Sequence, residues 1–152
     1  MAAEIYGSLS SQKGMSLLEG LIAIVIFSIG MLGLMKLQVE YMRESSDAKH
    51  RAQAAYLADQ LIGKIYSGNS ANLSAYAHRV NGGGCAPSGT NSSSPVITSW
   101  LNDVNSTLPG AASSTQQIKV NVVDNQVDIT VCWRQQDGTV HQHNVTTVIQ
   151  WQ

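Results

Sequence analysis

The 152 residues carry nine Lys and Arg against ten Asp and Glu, a net charge of −1, and are 43% apolar but only 12% charged. This length suits one domain, the balanced charge argues against nucleic-acid binding by phosphate neutralisation, and the ordinary apolar content argues against disorder throughout. The apolar residues are unevenly placed, however: no charge occurs from Gly20 to Met35, while Ser, Asn, Gln and Thr fill the second half. That pattern excludes a soluble enzyme with one evenly distributed core and predicts a membrane-inserting stem with a small polar head.

Residues 1–14 are short and mostly polar. The run from Met15 to Met35 is then apolar, with the single acid Glu19 inside it. A helix of that length rises about 31 Å, enough for a hydrocarbon core of about 30 Å. A cleaved secretory signal has a shorter apolar core and a small-residue site after it, which Lys36-Leu37-Gln38 does not supply. A plain anchor would do better without Glu19, since an acid deep in a bilayer costs about 2.5–3.5 kcal/mol. Glu19 therefore reads as functional and needs a partner. Cleavage after Gly14 would give Met15 a new α-amino group, cationic or nearly so at neutral pH. Glu19 would be the fifth residue of the cut chain, one helical turn further on. It could neutralise that amine, or the amine of a neighbouring staggered copy. In lipid an unpaired charge is costly, so such a pair matters more there than at a wet surface.

Lys13-Gly14-Met15-Ser16-Leu17-Leu18-Glu19 resembles the class III signal of type IV pilins and type II secretion pseudopilins. The stretch through Ile26-Phe27-Ser28-Ile29-Gly30-Met31-Leu32-Gly33-Leu34 and Leu37-Gln38 is similar to minor pilins of the PilV type, a stem largely shared by minor pseudopilins of the GspI type. The resemblance implies cleavage after Gly14 by a prepilin peptidase, N-methylation of Met15, and an assembly role for Glu19. It implies insertion in the inner membrane with a cytoplasmic N-terminus and a periplasmic head, followed by incorporation into a pilus. The implied partners are the peptidase, membrane lipid, other minor pilins, the major pilin and the assembly machinery. Adhesion and twitching motility are the implied roles. Major pilins usually have Pro at the twenty-second mature position, which here is Lys36. Without it the stem lacks its usual kink point, and a minor pilin is favoured over the main fibre subunit. The expected division is a leader at 1–14, a transmembrane and assembly helix at 15–38, and a head at 39–152 that includes the second half of the stem helix. The alternatives are a type II secretion minor pseudopilin and a membrane-anchored binding domain in which Glu19 is incidental.

From Met15 to Tyr66 there is no Pro, and Ser45-Ser46 is the only soft spot before Gly63. Ala54, Leu57, Ala58, Leu61, Ile62 and Ile65 form one helical stripe, opposite Arg51, Gln53, Asp59 and Lys64. The stripe is expected to pack on the head. Asp47 before Arg51 is an i, i+4 surface pair worth tenths of a kcal/mol.

Residues 67–95 read as a long connection with a helical turn or two near 71–80. Gly82-Gly83-Gly84 is not a phosphate loop, because no preceding strand and no following Lys-Ser/Thr accompany it. Ser94-Pro95 opens a second helix as cap and first residue. Val96, Ile97, Trp100, Leu101, Val104 and Leu108 continue it, and Pro109-Gly110 stops it. Three strands follow. Ile118, Val120 and Val122 alternate in the first, and Asp124-Asn125-Gln126 turns the chain. Val127, Ile129, Val131 and Trp133 alternate in the second, and Asp137-Gly138 marks a hairpin. The last strand spans Thr139 to Trp151, with Val145, Thr147, Ile149 and Trp151 on one side. The expected fold is α+β and pilin-like: a long N-terminal helix packed on an antiparallel sheet of about three strands.

Cys85 and Cys132 both fall in the head. In an exported domain such a pair reads as a disulfide, and in a cytosolic one as two buried thiols. Cys132 is out of phase with Val131 and Trp133, so it points away from the apolar face. A bond would staple the Gly-rich loop to the sheet, closing about 48 residues and stabilising by roughly 4 kcal/mol in the chain-entropy model. His141 and His143 share a strand face but lack the further ligands a metal would need. The triplets at Asn72, Asn91, Asn105 and Asn144 are what chance gives in so Asn- and Ser-rich a chain. No catalytic set and no cofactor motif stands out, so the chain reads as a non-enzyme.

Overall fold

The structure is a computed structural model that describes residues 13–68 and 70–150. The expected leader, apart from Lys13 and Gly14, and the strand residue Trp151 lie outside the described residues. The first element is α1, Lys13–Tyr66, a helix of 54 residues. It runs unbroken through Gly30, Gly33, Lys36 and Ser45-Ser46, so none of these positions ends the helix. The chain divides into two compact units, the first ending at Ser45 and the second running from Ser46 onward. The expected boundary at 38/39 follows the end of the apolar run. The second unit includes the later part of α1, where Asp47 meets Gln135 and His141.

Within the second unit, Ala54, Leu57, Ala58, Leu61 and Ile65 of α1 are buried, so the predicted stripe is the helix's core face. A short 3₁₀ segment, Ser70–Tyr76, follows, and its Leu73 and Tyr76 join the core. The second helix, α2, spans Pro95–Thr107 and buries Ile97, Trp100, Leu101 and Val104. Ser94 occupies the cap position, but its side chain makes no capping bond. The hydroxyl one turn on, Thr98 Oγ1, instead donates back to the Ser94 carbonyl at 3.1 Å. The Trp100 indole Nε1 donates to the Leu57 carbonyl at 2.8 Å, tying α2 to α1 inside the core.

Three strands, β1 Gln117–Asn121, β2 Gln126–Arg134 and β3 Val140–Val148, form an antiparallel sheet in chain order. Ile118 pairs with Ile129, and Ile129 with Val145. Alternation puts Ile118, Val127, Ile129, Val131 and Trp133 on the face that joins the common core with α1 and α2. The fold is thus the expected α+β arrangement of a long N-terminal helix on a three-stranded antiparallel sheet.

Strand ends differ from expectation at three places: β1 stops before Val122, and β3 begins at Val140 rather than Thr139 and ends at Val148, with Ile149 and Gln150 outside it. Val122 is not in β1; it lies in the turn and is 58% exposed. Asn121 causes this, because its side-chain oxygen accepts the amide of Val123 at 3.0 Å, an Asx turn that competes with the ladder. Asn125 completes the turn at φ 51°. At the other hairpin Gly138 has φ 86°, and Thr139 N donates to the Asp137 carboxylate at 2.9 Å. Gly110, at φ 58°, follows α2 where an added Cβ would lie 2.9 Å from Arg134 Cβ. The stop signal read after α2 is therefore also a close approach to β2, sealed by Arg134 N donating to the Pro109 carbonyl at 2.9 Å.

Candidate functional site

The described residues of the first unit, 13–45, are all helical. Their apolar side chains are open on every side, as with Leu17 at 76%, Ile24 at 67%, Phe27 at 70% and Leu32 at 67% exposed. An exposed apolar surface of this extent marks a membrane or partner contact. The helix is long and apolar enough to cross a membrane. Its polar groups also suit lipid. A helix satisfies its own backbone, and Ser28 is the one hydroxyl residue between Gly20 and Met35. The Ser28 hydroxyl donates to the Ile24 carbonyl at 2.7 Å, so it too is satisfied within the helix. Glu19 is exposed, the one acid in the apolar run. Gly14 and Met15 lie in the backbone of α1, and the Met15 side chain lies outside what the structure describes. Glu19 lies four positions after Met15 in α-helix, so both positions share one face.

The second unit brings the two cysteines together. Cys85 and Cys132 form a disulfide with Cα atoms 5.6 Å apart and a sequence separation of 47. Cys132 lies on the sheet face opposite the core, yet it is only 1% exposed. Part of its cover is the Gly-rich loop, held in a small hairpin by paired bonds between Asn81 and Ser88. Gly82 and Gly84 take φ values of 73° and 59° in that loop. The triple glycine thus serves a tight turn beside the disulfide.

Cover also comes from Gln116, a residue that sequence periodicity does not mark. Its side-chain oxygen accepts the Cys132 amide at 2.7 Å, and its Nε2 donates to the Cys132 carbonyl at 3.0 Å. Gln116 is fully buried. Beside it, the buried His78 pairs its backbone with Ile118 in both directions, and its Nε2 lies 3.0 Å from the Ser113 carbonyl.

A third cluster joins α1 to the β2–β3 hairpin. Asp47 accepts a bond from Gln135 Nε2 at 2.9 Å on one carboxylate oxygen, and His141 Nδ1 lies 3.5 Å from the same atom. Its other oxygen accepts from Arg51 Nε at 2.8 Å. The Arg51 hydrogen bond holds the Asp47 carboxyl below the usual carboxylate range, aided by the charge of Arg51. His141 also stacks on Trp133, with centroids 5.6 Å apart. The sequence marks Asp47 only as a surface partner of Arg51 and His141 only as a strand-face histidine. The two residues lie far apart in sequence, so their contact leaves no local signal. Among the described residues, His141 and His143 do not join a cluster of three potential metal ligands.

Residues 9–35 match the family described as "Prokaryotic N-terminal methylation motif". That is the signal of type IV pilin-like and pseudopilin chains, and the match covers Gly14, Met15, Glu19 and the apolar run, but none of residues 39–152. No curated protein and no solved structure matches the chain.

Proposed function

We propose that this chain is a minor type IV pilin of the PilV type. It is inserted in the inner membrane with its N-terminus cytoplasmic, cut by a prepilin peptidase after Gly14, and methylated at Met15. The stem then leaves lipid for the core of a pilus or of the complex that starts one. Other minor pilins, the major pilin and the inner-membrane assembly machinery are its partners, and pilus assembly, adhesion or twitching motility is its role.

The observation that carries this reading is Glu19, an exposed acid inside the methylation motif and otherwise surrounded by apolar residues. In lipid its charge is expensive. An amine at Met15, one turn away, or at the Met15 of a neighbouring subunit supplies the countercharge. The pair gives the stem a registered position in a bundle, which lipid and apolar packing alone do not specify. The remainder of the stem supplies unspecific apolar contact, and the disulfide-stapled head supplies the exported surface.

The test is Glu19→Ala in the full chain, with cell fractionation. The variant is expected in the membrane at normal level, processed, and depleted from sheared fibres. Normal incorporation into fibres would sink the role given to Glu19. Failure to insert would instead assign Glu19 to membrane targeting.

A further inference from the structure

The sheet has two edges, and the chain treats them differently. The β1 edge is closed. His78 and Ile118 exchange backbone bonds at 3.0 and 2.9 Å. Gln117 Nε2 donates to the Arg79 and Asn81 carbonyls, and Lys119 Nζ to the Gly82 carbonyl. The β3 edge is open. Gln135 N donates to the Thr139 carbonyl and Ile149 N to the Asn125 carbonyl. Those two bonds fix the phase of the ladder: His141, His143, Val145 and Thr147 bond to β2, while the amides and carbonyls of Gln142, Asn144 and Thr146 face outward. Among the described residues only the Val148 carbonyl on this edge has a partner, the Tyr66 hydroxyl at 2.9 Å.

Open edges are normally blunted by Lys, Pro, bulges or brevity. Residues 140–148 contain no Lys, Arg, Asp, Glu or Pro, and the β2–β3 register runs through all of them without a bulge. The edge also ends in two apolar side chains, Val140 and Val148, each 48% exposed.

We infer that β3 pairs antiparallel with β3 of a second copy of this chain, centred on Asn144. The sequence is self-complementary in that register. Asn144 faces its own equivalent, and Gln142 faces Thr146, each pair exchanging backbone bonds from groups that already point outward. Val140 falls opposite Val148 at both ends, covering both exposed valines. His141 meets Thr147 and His143 meets Val145, so no like charges are opposed. One pair of short edges is small beside the ~1,600 Å² of a standard interface. The pairing therefore depends on copies being concentrated together, as on a membrane surface. It does not rest on the pilin reading, and it would hold for any membrane-anchored form.

The test uses the full chain carrying Asn144→Cys in phospholipid vesicles, treated with a short bis-maleimide. The native cysteines are bonded to each other, so the introduced thiol is the reactive one. Ser106→Cys, exposed on α2, is the control for random collision in the membrane. The expected result is a linked dimer several-fold above the control. If Asn144→Cys misfolds, Gln142→Cys mixed with Thr146→Cys makes the same test, since those positions face each other across the pair. Linkage no greater than the control overturns the proposal.

Discussion

The side-chain amide of Gln116 acts as one more residue of strand, pairing with the backbone of Cys132 in both directions where β1 has not yet begun. The disulfide strand is thereby held on its buried side by a side chain. Gln116→Leu keeps approximate volume but leaves a buried amide and carbonyl at Cys132 unpaired, each costing about 1–3 kcal/mol. Thermal unfolding should report a lower Tm with the disulfide intact. An unchanged Tm would show that the pairing contributes nothing.

The disulfide itself closes 47 residues of sequence separation, for which the chain-entropy relation gives roughly 4 kcal/mol. Cys85→Ser with Cys132→Ser should therefore unfold at clearly lower denaturant. Chemical denaturation of the wild-type and doubly substituted heads, each within the full chain, measures this.

The two large buried indoles separate packing from hydrogen bonding. Trp100 Nε1 bonds to Leu57, whereas Trp133 Nε1 has no acceptor among the described residues. Trp100→Phe removes a buried bond as well as volume. Trp133→Phe removes volume and relieves an unpaired donor. Trp100→Phe should be the more destabilising of the two by about 1 kcal/mol, and matched denaturation curves decide it.

Asp47 supplies an acid limit to stability. Its folded pKa is depressed below the ordinary value of 3.8, chiefly by the Arg51 bond. Its contribution is thus complete above that ordinary value and is lost as pH falls through the folded one. The carboxylate is 26% exposed, so solvent screening keeps the effect small. Melting between pH 6 and pH 2.5 should show Asp47→Asn converging with the wild type at the acid end. A constant gap across that range contradicts the assignment.

What could be read in advance is what repeats. The stripe from Ala54 to Ile65 and the alternation from Val127 to Trp133 have a period, and period follows from helix and strand geometry. The Gly-rich turn and the stop at Gly110 are legible for a related reason: few residues tolerate those backbone angles. Val122 fits the alternation of a strand, but Asn121, one residue before it, diverts the backbone into a turn. Gln116, His78 and the Asp47–His141 contact leave no periodic trace, since each is a side chain meeting a distant backbone or side-chain group. In the N-terminal segment the informative feature was a departure from pattern, the acid Glu19 in an apolar run.

Under the proposed function the chain is cut after Gly14 and begins, in its mature form, at a methylated Met15. Mass spectrometry of the protein purified from membranes and from sheared fibres measures this directly. An N-terminal peptide starting at N-methylated Met15 is expected in both fractions. Assembled material that retains residues 1–14 would contradict it.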